Sequence, residues 1–377
     1  MADLMTYFKD RQDDLVQTLR EMVEIESPTH ERDRVNQMGA YVRSKLEALG
    51  AVVEIDQQAE RGDNVIGRFG SANGEKPALL IGHMDTVLKT GTIKERPFRI
   101  DGGLAYGPGT ADMKSGLVIM LSVLQAIQDL GLQPKRPITW IFNSDEEMQS
   151  KYSRTVIFRE AERSAYALVF EGTEDVGTFT TQRKSSGRFR ISTKGRASHA
   201  GAALAEGISA IEELAHHILA AQRMTDFDIG TTVSVGVIAG GDKPNIVADH
   251  AYADLSVRAP TRSEMERIEG ELRSLTPVLP GATVEVTGGF HRFPFEDTPE
   301  NQSLFGDLES VADEFGIAAT GRLAGGSSDA NLTSGVGTPT IDGMGAVGFG
   351  AHSIDEHIVL DSLPVRAAIA TRLVTTR

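Results

Sequence analysis

Hydrophobic and polar positions recur along the chain with two periods, and their order predicts the elements of secondary structure. Apolar residues return every three or four positions over residues 4–25 and 35–49, which is the spacing of amphipathic helices. Short apolar runs predict strands over residues 52–55, 65–69, 78–81, 138–142 and 166–170, and a longer run predicts a buried helix over residues 113–130. Because strands and helices alternate, we expect an α/β sandwich around a largely parallel sheet.

A different pattern begins near residue 184. Strand, helix, strand, strand, helix and strand follow one another over residues 187–193, 205–222, 231–238, 251–257, 263–275 and 282–286. This order is typical of the ferredoxin-like split arrangement. We therefore expect an inserted domain over residues 184–293, within a first domain that comprises residues 1–183 and 294–377. The first domain would resume with a helix over residues 301–315, a Gly/Ser loop and a C-terminal helix from Leu363.

Composition narrows the class of partner. The net charge of −15, from 38 Lys and Arg against 53 Asp and Glu, argues against nucleic acid or an anionic membrane as the main partner. The chain has no cysteine, which excludes disulfides, thiol nucleophiles and cysteine-based metal sites and fits a cytoplasmic protein. Residues 1–7 lack the basic and apolar regions of a signal peptide. No run is expected to approach the ~20 apolar residues of a membrane span.

A histidine and an aspartate come directly after the predicted strand 78–81. In an extended chain, side chains two positions apart point the same way, so Asp85 could orient the imidazole of His83. A carboxylate in that position is the usual outer partner of a metal-binding histidine. A capped turn without a metal is the alternative at this point.

Further acids and a second histidine follow at similar places. Asp112 precedes the buried helix, where it could instead be an N-cap, and Glu171 follows the strand 166–170. Three consecutive acids, residues 145–147, follow the strand 138–142 and would repel one another unless cations compensate. His352 lies in a glycine-rich loop, with His357 as its rival. Two histidines and three carboxylates suit a pair of zinc ions, each with one histidine, one carboxylate of its own and one shared carboxylate.

In their order along the chain, these motifs resemble the two-zinc exopeptidase family that includes glutamate carboxypeptidase, acetylornithine deacetylase, succinyl-diaminopimelate desuccinylase and aminoacylase. The resemblance covers essentially the whole chain, and residues 82–114, with Pro97-Phe98 and Tyr106-Gly107-Pro108-Gly109, look most like the glutamate carboxypeptidase branch. It implies a zinc-exopeptidase α/β/α sandwich with an inserted ferredoxin-like α+β lid domain. It also implies two Zn²⁺ per subunit, with Co²⁺ or Mn²⁺ as alternative ions.

The same resemblance implies roles for individual residues. The implied metal ligands are His83 and Glu171 for one ion, Glu147 and His352 for the other, and Asp112 as the bridge. The implied catalytic residues are the general base Glu146, Asp85 as the outer partner of His83, and the lid residue His199. The implied substrate contacts are Asn245, Arg258, Arg292 and Gly326. Two departures from the family stand out, namely Ser115 in place of glycine and residues 148–152 in place of a small Gly-Ser stretch, and the second could reshape the pocket wall.

The implied reaction is carboxypeptidase-like. It would release a C-terminal amino acid, with glutamate as one candidate, from a peptidyl or N-acyl substrate whose free carboxylate is held by Arg258 and Asn245. The alternatives are an N-acyl-amino-acid deacylase or desuccinylase, a dipeptidase or aminopeptidase, and a metal-dependent binding protein without catalysis. The intact Glu146 argues against the last alternative. The resemblance further implies a homodimer through the lid, in which His199 acts either in its own or in the partner's active site.

Overall fold

The chain divides into two compact units, which are described separately. The computed structural model describes residues 3–71 and 74–377, so the prediction about the chain start falls partly on Met1 and Ala2, outside the described residues. The larger unit comprises Met1–Gln182, Asp297–Ala324 and Ser328–Arg377. The smaller unit comprises Arg183–Glu296 and Gly325–Ser327.

The described residues form both helices and strands throughout. The helices are α1 (Leu4–Asp10), α2 (Gln12–Glu24), α3 (Arg32–Ala48), α4 (Thr92–Glu95), α5 (Ser115–Asp129), α6 (Arg154–Arg163), α7 (Ala210–Gln222), α8 (Arg262–Arg273), α9 (Pro299–Asp313), α10 (Ala330–Gly335) and α11 (Ser362–Thr376). The strands are β1 (Val52–Asp56), β2 (Asn64–Phe69), β3 (Ala78–His83), β4 (Arg99–Asp101), β5 (Leu104–Tyr106), β6 (Ile138–Asn143), β7 (Tyr166–Val169), β8 (Thr178–Arg183), β9 (Ser186–Lys194), β10 (Thr232–Gly240), β11 (His250–Arg258), β12 (Thr283–Arg292), β13 (Thr320–Ala324), β14 (Thr340–Ile341), β15 (Gly348–Phe349) and β16 (His357–Val359).

The larger unit is built on a mixed sheet of strand order β1-β2-β6-β3-β7-β14. Strand β3 is parallel to both β6 and β7, and β14 is parallel to β7. Strands β1 and β2 are antiparallel, so the prediction of a largely parallel sheet holds only for the other four strands. The reason is the connection, because parallel neighbours need a long crossover whereas the short segment between β1 and β2 permits only a reversal.

The central helix α5 packs against the sheet on the side of its first turn. A Cβ atom at Gly116 would lie 2.0 Å from the carbonyl oxygen of Phe170, so only glycine allows the helix to approach the end of β7 this closely. At the middle of the helix, the indole of Trp140 donates a hydrogen bond to the carbonyl of Met120 at 3.1 Å. This close packing fixes the segment before α5 relative to the ends of the strands.

The apolar stretch that includes α5 is long enough to raise the question of a membrane. By length and composition alone, the 20 residues Thr110–Asp129 are long and apolar enough to cross a membrane, with a mean hydropathy of 1.3. The expectation that no run approaches the length of a membrane span was therefore wrong. However, 89% of that window is buried within the protein. Such burial is typical of the central helix of a globular core.

Two predicted helices have different bounds in the structure. The helix expected over residues 4–25 breaks at Arg11, because α1 packs against α11 whereas α2 packs against α5. The helix expected from residue 205 begins at Ala210, where the Ser209 side chain accepts a hydrogen bond from the Glu212 amide at 3.2 Å. The extended backbone of Gly207 separates it from a short turn over Leu204–Glu206. Periodicity alone did not indicate either break.

The smaller unit has an antiparallel sheet of strand order β10-β11-β9-β12 and the two helices α7 and α8. Numbered within the unit, that order is 2-3-1-4, which is the ferredoxin-like arrangement. Alternate residues of β9 and β11 are buried, and they form one apolar cluster with residues of α7 and α8. The predicted fold class, an α/β/α sandwich with an inserted ferredoxin-like unit, is thereby confirmed.

Candidate metal centre and active site

Three adjacent strands bring the predicted metal ligands of the larger unit to one edge of its sheet. Strand β3 ends at His83, β6 ends just before the acids 145–147, and β7 ends two residues before Glu171. Strands β6, β3 and β7 are neighbours and run parallel, so their carboxyl ends share an edge. That edge is where open α/β sheets place their binding sites.

The imidazole of His83 is buried between two aspartates. Its Nδ1 lies 2.9 Å from the backbone carbonyl oxygen of Asp85 and 3.4 Å from the carboxylate of the same residue. Its Nε2 lies 3.0 Å from Oδ1 of Asp112 and 3.9 Å from Oε1 of Glu171. The main chain of Asp85, more than its side chain, therefore sets the ring orientation and leaves Nε2 directed at the carboxylates.

Asp112 presents one carboxylate oxygen to each of the two histidines. Its Oδ2 lies 3.0 Å from Nε2 of His352, which in turn lies 3.2 Å from Oε2 of Glu147. Helix α5 begins at Ser115 without a side-chain cap, so Asp112 is not the N-cap that the sequence left open. His357 lies elsewhere, with Nδ1 2.6 Å from the carbonyl oxygen of Asp355 and its ring against Tyr106.

These side chains fit a pair of cations. Two overlapping groups have ligand atoms within 4.8 Å of one another, namely His83, Asp112 and Glu147, and His83, Glu146 and Glu171. Ligands of a tetrahedral ion with bonds of about 2.1 Å are about 3.4 Å apart, close to the separations of the cluster. Among the described residues, the buried Oε1 of Glu147 has no hydrogen-bond partner. A metal ion would satisfy that oxygen.

The pKa shifts within the cluster also indicate a site that binds cations. Burial raises the pKa of Glu147 to about 7 and that of Glu171 well above its ordinary value. The hydrogen bond to Asp112 raises the pKa of His352 to about 9. Burial alone would lower the pKa of His83, but the hydrogen bonds to Asp112 and Asp85 raise it well above 6.5. The site thus takes up positive charge, which protons or metal ions can supply in competition.

Asp85 also holds the turn that carries the two adjacent glutamates. Its Oδ1 accepts a hydrogen bond from the backbone amide of Glu146 at 3.1 Å, and its Oδ2 accepts one from that of Glu147 at 3.3 Å. The hydroxyl of Thr29 donates to the same carboxylate at 2.7 Å. Because Asp85 is fully buried, this arrangement fixes the proposed base and the proposed ligand in one rigid turn.

The segment after this turn, residues 148–152, has an unusual backbone. Gln149 and Ser150 have φ angles of 69° and 49°, in the left-handed region that favours glycine. Asp329, which the sequence did not single out, accepts a hydrogen bond from the Ser150 hydroxyl at 2.5 Å and one from the Asn143 amide. The Tyr152 hydroxyl donates to Glu60 at 2.5 Å. These contacts hold the strained segment next to the glutamate pair.

Glu356 is a second residue that the sequence reasoning missed. It is 2% exposed, and its carboxylate accepts hydrogen bonds from the backbone amides of Gly109, Ala111 and Asp112 at 2.8, 3.0 and 3.1 Å. The only sequence signal was an acid four residues after His352 in the same loop.

Within the smaller unit, two of the predicted residues lie side by side. Nδ1 of His199 accepts hydrogen bonds from the backbone amides of Gly201 and Ala202, both at 3.1 Å. A neutral imidazole that accepts at Nδ1 carries its proton on Nε2, so Nε2 is a donor. The Ala200 amide donates to the carbonyl oxygen of Asn245 at 3.0 Å, which holds the two segments together.

The other predicted substrate contacts gather at the opposite end of that sheet. Arg258 donates to the hydroxyl of Ser186 at 2.6 Å, and Arg292 is the register partner of Ser186 on the other side. The carbonyl oxygen of Gly326 accepts a hydrogen bond from Arg183 at 2.9 Å. Strand β11 begins near the His199 end and finishes at Arg258, so at ~3.4 Å per residue its nine residues span about 27 Å. One chain therefore does not bring the two groups together.

Comparison with known proteins agrees with this fold and this site. The profile of peptidase family M20/M25/M40 matches residues 79–376. The chain is 31% identical to carboxypeptidase G2 of Pseudomonas sp. (strain RS-16), over 97% of this chain and 89% of the relative. In structure it is similar to aminopeptidase PepT of Bacillus cereus ATCC 10987, with a TM-score of 0.83, 23% identity and coverage of 97% and 98%.

A further solved structure is that of the Bacillus subtilis YXEP protein, described as a dinuclear metal-binding peptidase of the M20 family. It covers 97% of this chain and 98% of its own, with a TM-score of 0.73 and 16% identity. The family profile, the full-length relative and the clustered metal-ligand side chains lead to one conclusion. The chain belongs to peptidase family M20/M25/M40 and is a metallopeptidase or amidohydrolase that cleaves amide bonds.

Proposed function

We propose that this protein is a two-zinc carboxypeptidase that releases a C-terminal amino acid from a peptidyl or N-acyl substrate. The observation that carries the proposal is Asp112, which presents one oxygen to His83 and the other to His352 with a glutamate pair beside them. In this assignment Asp112 would contribute to holding both ions. His83 and Glu171 would hold one ion, and His352 and Glu147 the other.

The two ions, when bound, would polarise the scissile carbonyl and acidify the attacking water. Glu146 would accept the proton of that water and then deliver it to the departing amine, as a general base and acid. Asp85 supports this role because its carboxylate accepts a hydrogen bond from the Glu146 amide at 3.1 Å and so fixes the backbone that carries the base. The donor at Nε2 of His199 suits a developing oxyanion.

The substrate's carboxylate would bind at the arginine end of the smaller unit. Arg258 and Arg292 flank Ser186 there, and two guanidinium groups suit two carboxylates, the free α-carboxylate and that of an acidic side chain. This supports an acidic leaving residue such as glutamate. The full-length similarity to carboxypeptidase G2 supports a carboxypeptidase as the first candidate.

We further propose a homodimer in which His199 and Asn245 serve the partner's active site. A small substrate held by Arg258 cannot also reach residues about 27 Å away along the same sheet. Ser186 and Arg292 lie within a few residues of the points where the chain enters and leaves the smaller unit, at Arg183 and Glu296. The arginine end is therefore the end of the sheet at which the chain connects to the larger unit, whereas the His199 end lies along the strands away from that connection. The absence of cysteine supports a cytoplasmic location.

The second candidate is an N-acyl-amino-acid deacylase or desuccinylase that uses the same metal ligands. The Met148–Tyr152 segment supports this deacylase candidate, because the segment borders the glutamate pair and is placed to shape a pocket for the acyl group. An aminopeptidase or dipeptidase is the third candidate. It is distinguished by its need for a free amino group on the substrate.

A substrate matrix tests the proposal. One axis varies the N-acyl or peptidyl group, the second varies the leaving residue, and each compound is made as the free acid and as the amide. We expect hydrolysis to require the free C-terminal carboxylate, to tolerate a blocked N-terminus and to favour glutamate. Equal turnover of acid and amide, or a strict need for a free amino group, would contradict the proposal. A preference set mainly by the acyl group would favour the deacylase.

A further inference from the structure

One buried carboxylate joins the two loops that carry Asp112 and His352. Glu356 lies at the end of the His352 loop, and its side chain accepts three backbone hydrogen bonds from residues 109–112. Its own carbonyl oxygen accepts a fourth bond, from the Gly107 amide at 3.3 Å. All four bonds connect the same two segments. Besides the contact between the side chains of His352 and Asp112, a single residue thus makes four backbone hydrogen bonds between these loops.

The His352 loop has few other supports. His352 itself is 53% exposed on its side chain and has a φ of 63°, a left-handed conformation that a histidine rarely adopts. The carbonyl oxygen of Ser353 accepts a hydrogen bond from the Arg96 side chain at 2.6 Å. The backbone amide of Ser353 donates one to the carbonyl oxygen of Gly350 within the loop. Neither contact reaches the segment that carries Asp112. Among the described residues of this loop, it is Glu356 that accepts a hydrogen bond from the Asp112 backbone.

The pattern of acceptors explains why a glutamate suits this place. Oε2 accepts from the Gly109 amide, and Oε1 accepts from the amides of Ala111 and Asp112. Buried amide groups without acceptors are costly, and only an ionised carboxylate supplies two acceptor atoms in the space of one side chain. Glutamine offers one oxygen and would present its NH₂ group to a donor. An apolar residue would leave all three amides without their present acceptor.

We propose that Glu356 is a positioning residue that holds Asp112 and the His352 loop in the register needed to bind two metal ions. The inference rests on the proposed function, because it takes Asp112 and His352 as metal ligands. The inference extends the proposed function to Glu356, a residue that would contact neither metal nor substrate. It would act only through the backbone of the metal-ligating residue Asp112. Its loss should weaken metal binding more than it weakens the fold.

Glu160 provides a matched control for burial and charge. It is also 2% exposed and lies in the larger unit, where it accepts hydrogen bonds from Arg68 at 2.8 and 3.0 Å and from Arg159 at 2.8 Å. It is not part of the metal-ligand groups found among the described residues. Replacing either glutamate removes a buried carboxylate with several donors. Only the Glu356 replacement should alter the metal site.

The experiment measures Zn²⁺ binding to metal-free protein by competition with a chromophoric chelator, together with the absorption spectrum of the Co²⁺ form. We expect Glu356→Leu to weaken binding of at least one ion by ~10–100-fold, as for outer partners of metal ligands. Glu356→Gln should have a smaller effect, because one oxygen remains, and it guards against a Leu variant that fails to fold. Glu160→Leu and Glu160→Gln should bind both ions within about twofold of wild type. The Co²⁺ spectrum should change only in the Glu356 variants.

Asp112→Asn separates failure of this inference from failure of the proposed function. If Asp112→Asn binds two ions as tightly as wild type, the ligand assignment itself is wrong. If Asp112→Asn loses metal but both Glu356 variants bind Zn²⁺ as wild type does, Glu356 is only structural and the inference is overturned. Equal weakening in the Glu356 and Glu160 variants would overturn it as well, since a general loss of stability would then account for both.

Discussion

The carboxylate of Asp85 accepts a hydrogen bond from the backbone amide of Glu146 at 3.1 Å, although 61 residues separate them in the sequence. The same residue orients His83 through its carbonyl oxygen at 2.9 Å. One buried aspartate therefore links the proposed base to a proposed metal ligand. Because its second carboxylate oxygen holds the Glu147 amide, the two adjacent glutamates cannot exchange places without breaking these bonds.

The adjacent glutamates should differ in what their loss affects. Glu146→Gln keeps the size of the side chain but removes the proton acceptor, so we expect kcat to fall by ~10²–10⁴ with both metal ions retained. Glu147→Gln should lose one of the two ions. Metal content by elemental analysis and single-substrate kinetics measure both. The reverse pattern would mean that the base and the ligand have been exchanged in our assignment.

The separation of the two residue groups in the smaller unit predicts complementation between inactive subunits. His199→Ala should retain both metal ions but lose ~10²–10³ in kcat, as for one oxyanion donor. Mixing it with Glu146→Gln and allowing subunits to exchange should restore activity. In the mixed dimer, one active site would have both an intact Glu146 and the partner's intact His199.

Arg258→Ala is the control for that experiment. If Arg258 serves its own active site, mixing Arg258→Ala with Glu146→Gln does not complete any site. One site of the mixed dimer lacks the arginine and the other lacks the base, so activity should stay low. Recovery with Arg258→Ala but not with His199→Ala would assign the two groups the other way round. No recovery in either mixture, with exchange verified by mass spectrometry, would place His199 in its own chain's site or outside catalysis.

Arg258→Lys should lower kcat/KM nearly as much as Arg258→Ala does. Lysine keeps the positive charge but cannot form the two parallel hydrogen bonds that a guanidinium makes to a carboxylate. We expect a loss in kcat/KM for the free-acid substrate and little change for its amide. Arg190→Lys is a suitable control, since Arg190 is exposed and forms a bidentate pair with Asp254 within the same sheet. An equal effect of both variants would remove Arg258 from substrate binding.

Metal-free protein should become less stable as the pH rises from about 5 to 8. The pKa of Glu147 is raised from 4.5 to about 7 and that of His352 from 6.5 to about 9, so the folded chain binds more protons than the unfolded chain in this range. The stability from these groups is complete below their unfolded values and is lost as the pH rises through the folded ones. Bound zinc should offset the loss, because it replaces those protons.

Urea unfolding of chelator-treated protein at pH 5, 6, 7 and 8 measures this dependence. Glu147→Gln removes one of the titrating groups, so its free energy of unfolding should vary less steeply between about pH 4.5 and 7. The slope is compared between pH 5 and 7, because burial lowers the pKa of Lys114 to about 8 and its titration affects the value at pH 8 in the opposite sense. A metal-free protein that grows more stable over this range would contradict the account.

Glycine at position 149 should stabilise the fold. Gln149 has φ 69° and ψ 29°, and the left-handed conformation costs a residue with a Cβ atom ~1–2 kcal/mol. Glycine avoids that cost but loses ~0.5–1 kcal/mol of unfolded-chain entropy, so Gln149→Gly should gain up to about 1 kcal/mol. Gln17→Gly, at an exposed position inside α2, should lose about 1 kcal/mol. If Gln149→Gly instead lowers the free energy of unfolding, the contacts of the glutamine side chain must outweigh the cost of its left-handed backbone.

Local order along the chain was sufficient to predict most of the architecture. Apolar runs ending in glycine, histidine or acids located strands β3, β6 and β7, because a buried strand needs a continuous apolar segment whatever its neighbours are. The ferredoxin-like order followed in the same way from alternating strands and two helices. The larger unit's predicted ligands were recognisable because each lies just beyond such an element or in a glycine-rich loop.

Other features were decided only by tertiary contacts. The break at Arg11 depends on which helix each half packs against, and the antiparallel edge of the sheet depends on a connection that periodicity does not describe. The roles of Glu356 and Asp329 arise from hydrogen bonds to segments more than 170 residues away. A single acid in a loop has no periodic or motif signal, so its partners appear only when the chain is folded. The sequence determines which side chains can hold metal, and the fold determines which other side chains hold those ligands in place.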